Sequence, residues 1–233
     1  MGKLLLGGIP IEKIGENCSV KSFKFLGMLV DEKLNWKYHI NMLRGKLASS
    51  NFALNNTKNK LTFSARLKVF YSLIISHINY CAIIYSNTKC NELKLLDSLH
   101  KKAIRHLTLS KYNAHTSILY KKHNILSFQD TIFMQKALFM HNYRNDRLPI
   151  SFQNQFIYKT DVDSQRLRHD EGTFVITNNR SLSPLQSAAH SWNNIPYSIR
   201  NISKTNLFKK SLKTYLINKY DDFCVNDNCY VCT

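Results

Sequence analysis

Three cysteines near the end of the sequence, Cys224, Cys229 and Cys232, stand in a C-x4-C-x2-C spacing. Thiolates so placed could supply three corners of a tetrahedral zinc site. The fourth ligand is missing locally, and Cys18, Cys90 or a histidine would have to complete the set from elsewhere. Free thiols on a frayed tail are the plainer reading. Asp161 and Asp163 fall in a polar stretch where a turn is the ordinary outcome. The nine histidines show no H-E-x-x-H spacing, and the chain has no G-x-S-x-G elbow and no P-loop. His77 sits in an apolar segment, as a hydrogen-bonded core histidine would. No catalytic residue and no resident cofactor or metal is expected of this chain.

What the side chains can do is bind an anion. The formal net charge is +18, from 33 Lys+Arg against 15 Asp+Glu, and the excess is not spread evenly. Residues 1–32 are net zero, residues 33–122 hold 16 basic and two acidic groups, and the remaining two stretches, 123–160 and 161–233, contribute +2 each. A solvated surface usually interleaves both signs, whereas a block of one sign implies a polyanionic partner. Lys37, Arg44, Lys46, Lys58, Lys60, Lys101, Lys102 and Arg105 are the candidate phosphate contacts. Each phosphate neutralised releases counterions, so binding should weaken steeply with salt. Trp36, Phe52, Tyr71 and Tyr112 lie among these cations and could stack on bases, although Trp36 and Tyr71 have the helical spacing of core residues. RNA or DNA is favoured over a membrane surface, because the basic helices lack the broad apolar face of an interfacial helix.

The elements that must carry these residues are mostly helical. Six of seven glycines fall in the first 45 residues, and no proline occurs between Pro10 and Pro149. The spacing predicts a short β segment followed by long unbroken helices. Leu4–Leu6 and Ile9–Ile14 flank Gly7-Gly8 as a tight hairpin, and Val20–Val30 reads as one strand with a close backbone approach at Gly27. Trp36, Ile40, Leu43, Leu47, Leu54 and Leu61 then recur at helical steps, predicting a helix from about Trp36 to Lys60 capped by Asn35. Ser64 would cap a second helix, apolar almost all round and so central. A third runs from about Asn91 to Leu107, with others near Phe128–Tyr143 and Asn206–Lys219. The expected organisation is a β segment over 1–32, a basic helical domain over 33–146, and a helical to irregular region with the cysteine tail over 147–233. No run of 18 apolar residues suggests a membrane span. The N-terminal apolar stretch is too short for a secretory signal, and six cysteines in this length suggest a reducing compartment. An intracellular protein, nuclear or cytoplasmic, is expected.

Several of these segments, in this order, resemble a known family. Phe25-Leu26-Gly27, followed by Asp31, Leu34, Trp36, His39 and Ile40, is similar to the end of the palm and the start of the thumb in reverse transcriptases of non-LTR retrotransposons, the jockey-like group in particular. Phe70-Tyr71-Ser72-Leu73-Ile74 with Tyr80-Cys81 looks like that family's second thumb helix, and Leu99, Lys102, Ala103 and Arg105 like the next. Trp192-Asn193-Asn194-Ile195-Pro196, with Phe208-Lys209 and Leu212, resembles its tryptophan-proline segment. The likeness runs over roughly Leu4 to Tyr220. It implies a palm-sheet remnant before a thumb bundle that grips template and primer, with Lys24, Phe25, Leu26 and Gly27 near the primer end.

In that family an aromatic-x-Asp-Asp hairpin upstream of the Phe-Leu-Gly strand holds two divalent metals. Here the residues ahead of that strand contain no Asp, only Glu12 and Glu16. Tyr220-Asp221-Asp222 is no substitute, because Lys219 occupies the place the aromatic should take and a solvated helix end is the better explanation. The resemblance thus implies a fragment that binds nucleic acid and needs its missing palm and fingers to polymerise, with metal only in the full-length parent. A standalone or domesticated RNA- or DNA-binding adaptor without enzymatic activity is the alternative.

Overall fold

The computed structural model describes residues 5–6, 9–10, 22–57, 59–88, 90–162, 172–176 and 183–221. The fold is mainly α, with about 65% of the described residues helical and short antiparallel strand pairs ahead of the helices. β1 (Leu5–Leu6) pairs with β2 (Ile9–Pro10), in the register Leu6 opposite Ile9 that the Gly7-Gly8 reading anticipates. β3 (Ser22–Phe25) pairs with β4 (Met28–Asp31), Phe25 opposite Met28. The expected single strand over Val20–Val30 is therefore a hairpin. Leu26 and Gly27 both take positive φ, 44° and 81°, which is the two-residue turn whose twist suits a hairpin. Gly27 packs under the Tyr80 ring, where an added Cβ would lie 3.5 Å from ring atoms.

Asp31 organises the passage from strand to helix. Its buried carboxylate accepts the amides of Lys33 at 3.1 Å, Asn35 at 3.0 Å and Trp36 at 3.0 Å. Helix α1 (Lys37–Thr57) starts after Trp36, whose carbonyl takes the Ile40 N–H at 2.9 Å. Asn35 is thus one residue too early to cap it, and its amide is instead a guest of Asp31. The buried face of α1 is the predicted stripe, including Ile40, Leu43, Leu47 and Leu54.

The second predicted helix is broken into pieces. α2 (Phe63–Phe70) is capped by Thr62, whose Oγ1 accepts the Ala65 N–H at 3.4 Å, and not by Ser64. It widens into a π-helical turn (Tyr71–Ile75), tightens into α3 (Ser76–Asn79), and stops at Cys81, which adopts the left-handed conformation before α4 (Ala82–Tyr85). α5 (Cys90–Thr108), α6 (Thr116–Lys122) and α7 (Phe128–Arg144) follow. A 3-10 turn (Ile150–Phe152) leads to α8 (Lys159–Val162), α9 (Pro184–Asn193), α10 (Tyr197–Arg200) and α11 (Thr205–Ile217).

The apolar side chains gather in two clusters. The first joins Ile40, Leu47, Phe70, Ile78, Leu96, Ile104 and Ile132. The second joins Met134, Met140, Phe174, Trp192, Phe208 and Leu212. They divide inside α7, between Ile132 and Met134. α7 itself ends at Arg144, shortly before Arg147-Leu148-Pro149. In the second cluster the Trp192 indole N–H donates to the Gly172 carbonyl at 2.8 Å, and the Asn193 amide bonds both the N–H and the C=O of Phe174, at 2.9 and 2.8 Å. These contacts give the Trp-Asn segment a structural task.

Candidate nucleic-acid interface

Helices α1 and α5 lie side by side and run in the same direction. Near their starts the Thr88 hydroxyl donates to the Asn35 carbonyl at 2.7 Å, and midway the Asn51 amide donates to the Leu99 carbonyl at 3.1 Å. Between the midpoints is a groove of about 190 Å³ with Asn51 and Phe52 on one bank and Leu99, Lys102 and His106 on the other. Phe52 is 69% exposed, a large ring left in water beside a free ammonium. Asn51 is 3% exposed, and its amide nitrogen bonds the Leu47 and Leu99 carbonyls while Oδ1 has no partner. Lys37 and Arg44 are seven residues apart, two helical turns, so they extend the same bank of α1 towards its N-terminus. Lys37, Arg44 and Lys102 are all exposed.

The other candidates do not join this groove. Lys46 lies about 200° around the helix from Arg44, two steps at 3.6 residues per turn. It faces the hairpin side: its charge helps hold the pKa of His39 and of His77 below the ordinary value, after the larger effect of burial. His77 is half-buried there, and among the described residues no hydrogen bond to its ring is seen. His39 ties α1 to the hairpin, accepting the Leu29 N–H at 3.5 Å. Lys24, Phe25, Leu26 and Gly27 are at that hairpin's turn, with the Tyr80 hydroxyl donating to the Leu26 carbonyl. Phe25 and Leu26 are 60% and 75% exposed. Lys46 and the hairpin tip therefore form a second, smaller group on the opposite flank of α1.

On α5 the helical phase turns Lys101 and Arg105 away from the groove. The Lys101 ammonium pairs with Asp97 at 2.8 Å, and the Arg105 Nε donates to the Ala114 carbonyl at 2.9 Å, holding the α5–α6 connection. Lys60 is exposed in the turn after α1. Lys58, Cys224, Cys229 and Cys232 lie outside the described residues. Among the described residues no group of three or more His, Cys, Asp and Glu side chains could hold a metal ion. No helix among them is long and apolar enough to cross a membrane.

Some cations counted in the net charge are internal ties. Arg66 is buried, with Nε donating to the Leu107 carbonyl at 3.1 Å and Nη1 to the Leu61 carbonyl at 3.2 Å. Lys136 is buried too, donating to Asn87 Oδ1 at 3.3 Å and Ser187 Oγ at 2.6 Å, and burial lowers its pKa. The Tyr220-Asp221 pair is a clasp. The Tyr220 hydroxyl donates to the Asp130 carboxylate and accepts the Ser127 N–H at 2.9 Å, while Lys121 donates to the Tyr220 carbonyl at 2.9 Å. No sequence signal marked these ties, because a cation that caps a carbonyl and one that meets a phosphate are the same residue type.

No family model, curated protein or solved structure matches the chain.

Proposed function

We propose that the chain is the palm-end and thumb region of a non-LTR retrotransposon reverse transcriptase, which holds nucleic acid along the α1–α5 groove and does not polymerise by itself. The observation that carries the reading is the groove's composition. Exposed Lys37, Arg44 and Lys102 flank an exposed Phe52, which is the pairing of phosphate contacts and stacking surface that single-strand and template binders use. The hairpin adds support. Its Phe23, Phe25 and Leu26 leave an apolar face open to water, suited to a sheet that continues into an upstream palm and fingers. The divalent metals of the reaction belong to that upstream region in the parent enzyme, and the site of action is intracellular, nuclear or cytoplasmic.

One observation favours the adaptor as a second reading. Met28 is the sole hairpin residue in the first core cluster, so the helices between Ile40 and Ile132 close a core almost unaided. The DNA immediately upstream of the reading frame separates the two: a frame encoding an aromatic-x-Asp-Asp hairpin supports the polymerase fragment, and a single intact spliced copy supports the adaptor. Binding is tested by fluorescence anisotropy with labelled 20-nucleotide RNA and DNA across a salt series. Folded protein that ignores both at low salt overturns both readings. Metal-dependent primer extension by the purified 233 residues overturns the non-polymerising part.

A further inference from the structure

A second cleft opens where the two core clusters meet, and it shares no residue with the α1–α5 groove. It has a volume of about 280 Å³ and is walled by the π-helical turn and α3 on one side and by α7 and α11 on the other. Single π-helical turns inside helices recur at functional sites, since the extra residue displaces side chains from the regular ladder. Here that turn supplies Tyr71 to the wall. Aliphatic side chains of α7, Met134 and Leu138, face it. Clefts at such seams, apolar with a few convergent polar groups, are where small ligands bind.

Three features narrow the chemistry. Tyr71 brings an aromatic ring to the lining, a surface suited to a flat, apolar body. Two amides, Asn79 and Gln135, line the same space, and the Asn79 Oδ1 is buried with no hydrogen-bond partner. Amides both donate and accept, as recognition of a base edge requires, and an unmet buried acceptor is costly until something donates to it. Lys209 and Lys213 stand one turn apart on α11 at the mouth, and the lining contains no Asp or Glu. Burial lowers the Lys213 pKa, a cost that an anion at the mouth would offset.

We propose that this cleft binds one nucleoside 5′-phosphate, its base against Tyr71 with an edge towards Asn79 and Gln135 and its phosphate on Lys209 and Lys213. The size admits a single nucleotide and excludes a duplex. The ligand is either a free mononucleotide or one unit of a single strand, and the chemistry recognised is the same.

Calorimetric titration of the full chain with the four ribonucleoside 5′-monophosphates tests this, with the matching nucleosides, inorganic phosphate and octanoate as comparators. At least one mononucleotide should bind ten-fold or more tightly than its nucleoside and than inorganic phosphate. Lys209→Ala with Lys213→Ala should weaken it at least ten-fold, and Lys209→Glu alone, at an exposed position, should act in the same direction with an unchanged melting temperature. Asn79→Ala should change the order of preference among bases. Neutralising Lys37, Arg44 and Lys102 should leave mononucleotide binding intact, so failure of the groove and failure of the cleft are separable. Displacement of the mononucleotide by a short single strand assigns the site to a strand unit, and its absence assigns the site to the free nucleotide; either supports the proposal. Octanoate binding as tightly as the best mononucleotide, or no mononucleotide binding below 1 mM by folded protein, overturns it.

Discussion

The cations along the α1–α5 groove and the arginines around the connection from α9 to α11 meet different fates. Along α1 and α5, Lys37, Arg44 and Lys102 stand in water with no acceptor among the described residues. In the half built on α7 and α11, the guanidinium groups serve the backbone: Arg144 donates to the Arg200 carbonyl at 2.7 Å, Arg147 to the Ser203 carbonyl at 3.3 Å, and the buried Arg200 to the Ile195 carbonyl at 2.9 Å. These tie down carbonyls that the short connection from α9 to α11 leaves without helical partners. A net charge of +18 therefore overstates the charge available to a partner. What identifies a binding face is unpaired charge beside an exposed ring, as Lys102 and Phe52 supply in the α1–α5 groove.

The sharpest contrast is between Arg200 and Arg44. Arg200→Ala strands the Ile195 carbonyl and opens a cavity where the residue was 4% exposed, a loss of about 3 kcal/mol. Urea denaturation should show the midpoint falling while nucleic-acid affinity of the folded protein holds. Arg44→Ala should do the reverse, with stability changed by less than about 0.5 kcal/mol. If Arg44→Ala proved as destabilising as Arg200→Ala, the two sets of cations would not differ in the way described.

Buried histidines in both halves make the fold sensitive to acid. His100, in the first cluster, is wholly buried, its Nδ1 2.9 Å from the Tyr120 hydroxyl and its Nε2 unpartnered, and burial pushes its pKa down to about 3. The unfolded chain takes up a proton at this ring near pH 6.5, whereas the folded chain refuses it until about pH 3. Stability conferred above pH 6.5 is therefore lost as the pH falls through that window, by about 2 kcal/mol at pH 5. His39, His77, His123 and His141 are depressed by burial as well and add in the same direction. Urea midpoints at pH 7 and pH 5 measure the sum, and His100→Phe should remove the largest share of the difference.

The sequence disclosed whatever depends on period and on breakers. The stripe of Ile40, Leu43, Leu47 and Leu54, the span of α5 and the glycine-rich β start all follow from spacing, so the mainly helical fold was legible. What escaped depends on single atoms. Asp31 collects three backbone amides across a turn, which displaces the start of α1 past Asn35. The Leu26–Gly27 turn folds one expected strand into two, because Leu26 tolerates a positive φ that its residue type disfavours. Cys81 ends α3 with no glycine or proline to announce it. Among the candidate contacts, helical phase separates Lys46 from Arg44 and Lys101 from Lys102, and phase was calculable from numbering. The bond from Arg105 to Ala114 was not, since it needs the fold of the following loop.

Neutralising the groove as a set, Lys37→Gln with Arg44→Gln and Lys102→Gln, should weaken binding to single strands about ten-fold at low salt and reduce the slope of log affinity against log salt by about 2. The same change at Lys101 and Arg105 should move the slope less, because one already pairs with Asp97 and the other holds Ala114. Equal effects would mean that those internal ties are surrendered when nucleic acid arrives.

Phe52 gives the smallest effect and the most specific one. Truncating a ring that is 69% exposed leaves the core untouched, so Phe52→Ala should keep the melting temperature within about 1 °C. The stacking surface is lost, which costs about 1 kcal/mol per base. Because stacking involves no ion release, the affinity should drop by the same factor at every salt concentration, whereas the triple neutralisation changes the slope. Anisotropy titrations of both variants at four salt concentrations separate the two contributions. A Phe52→Ala protein that binds as wild type does would leave the groove a charged surface alone, and would remove the aromatic half of the argument for single-stranded nucleic acid.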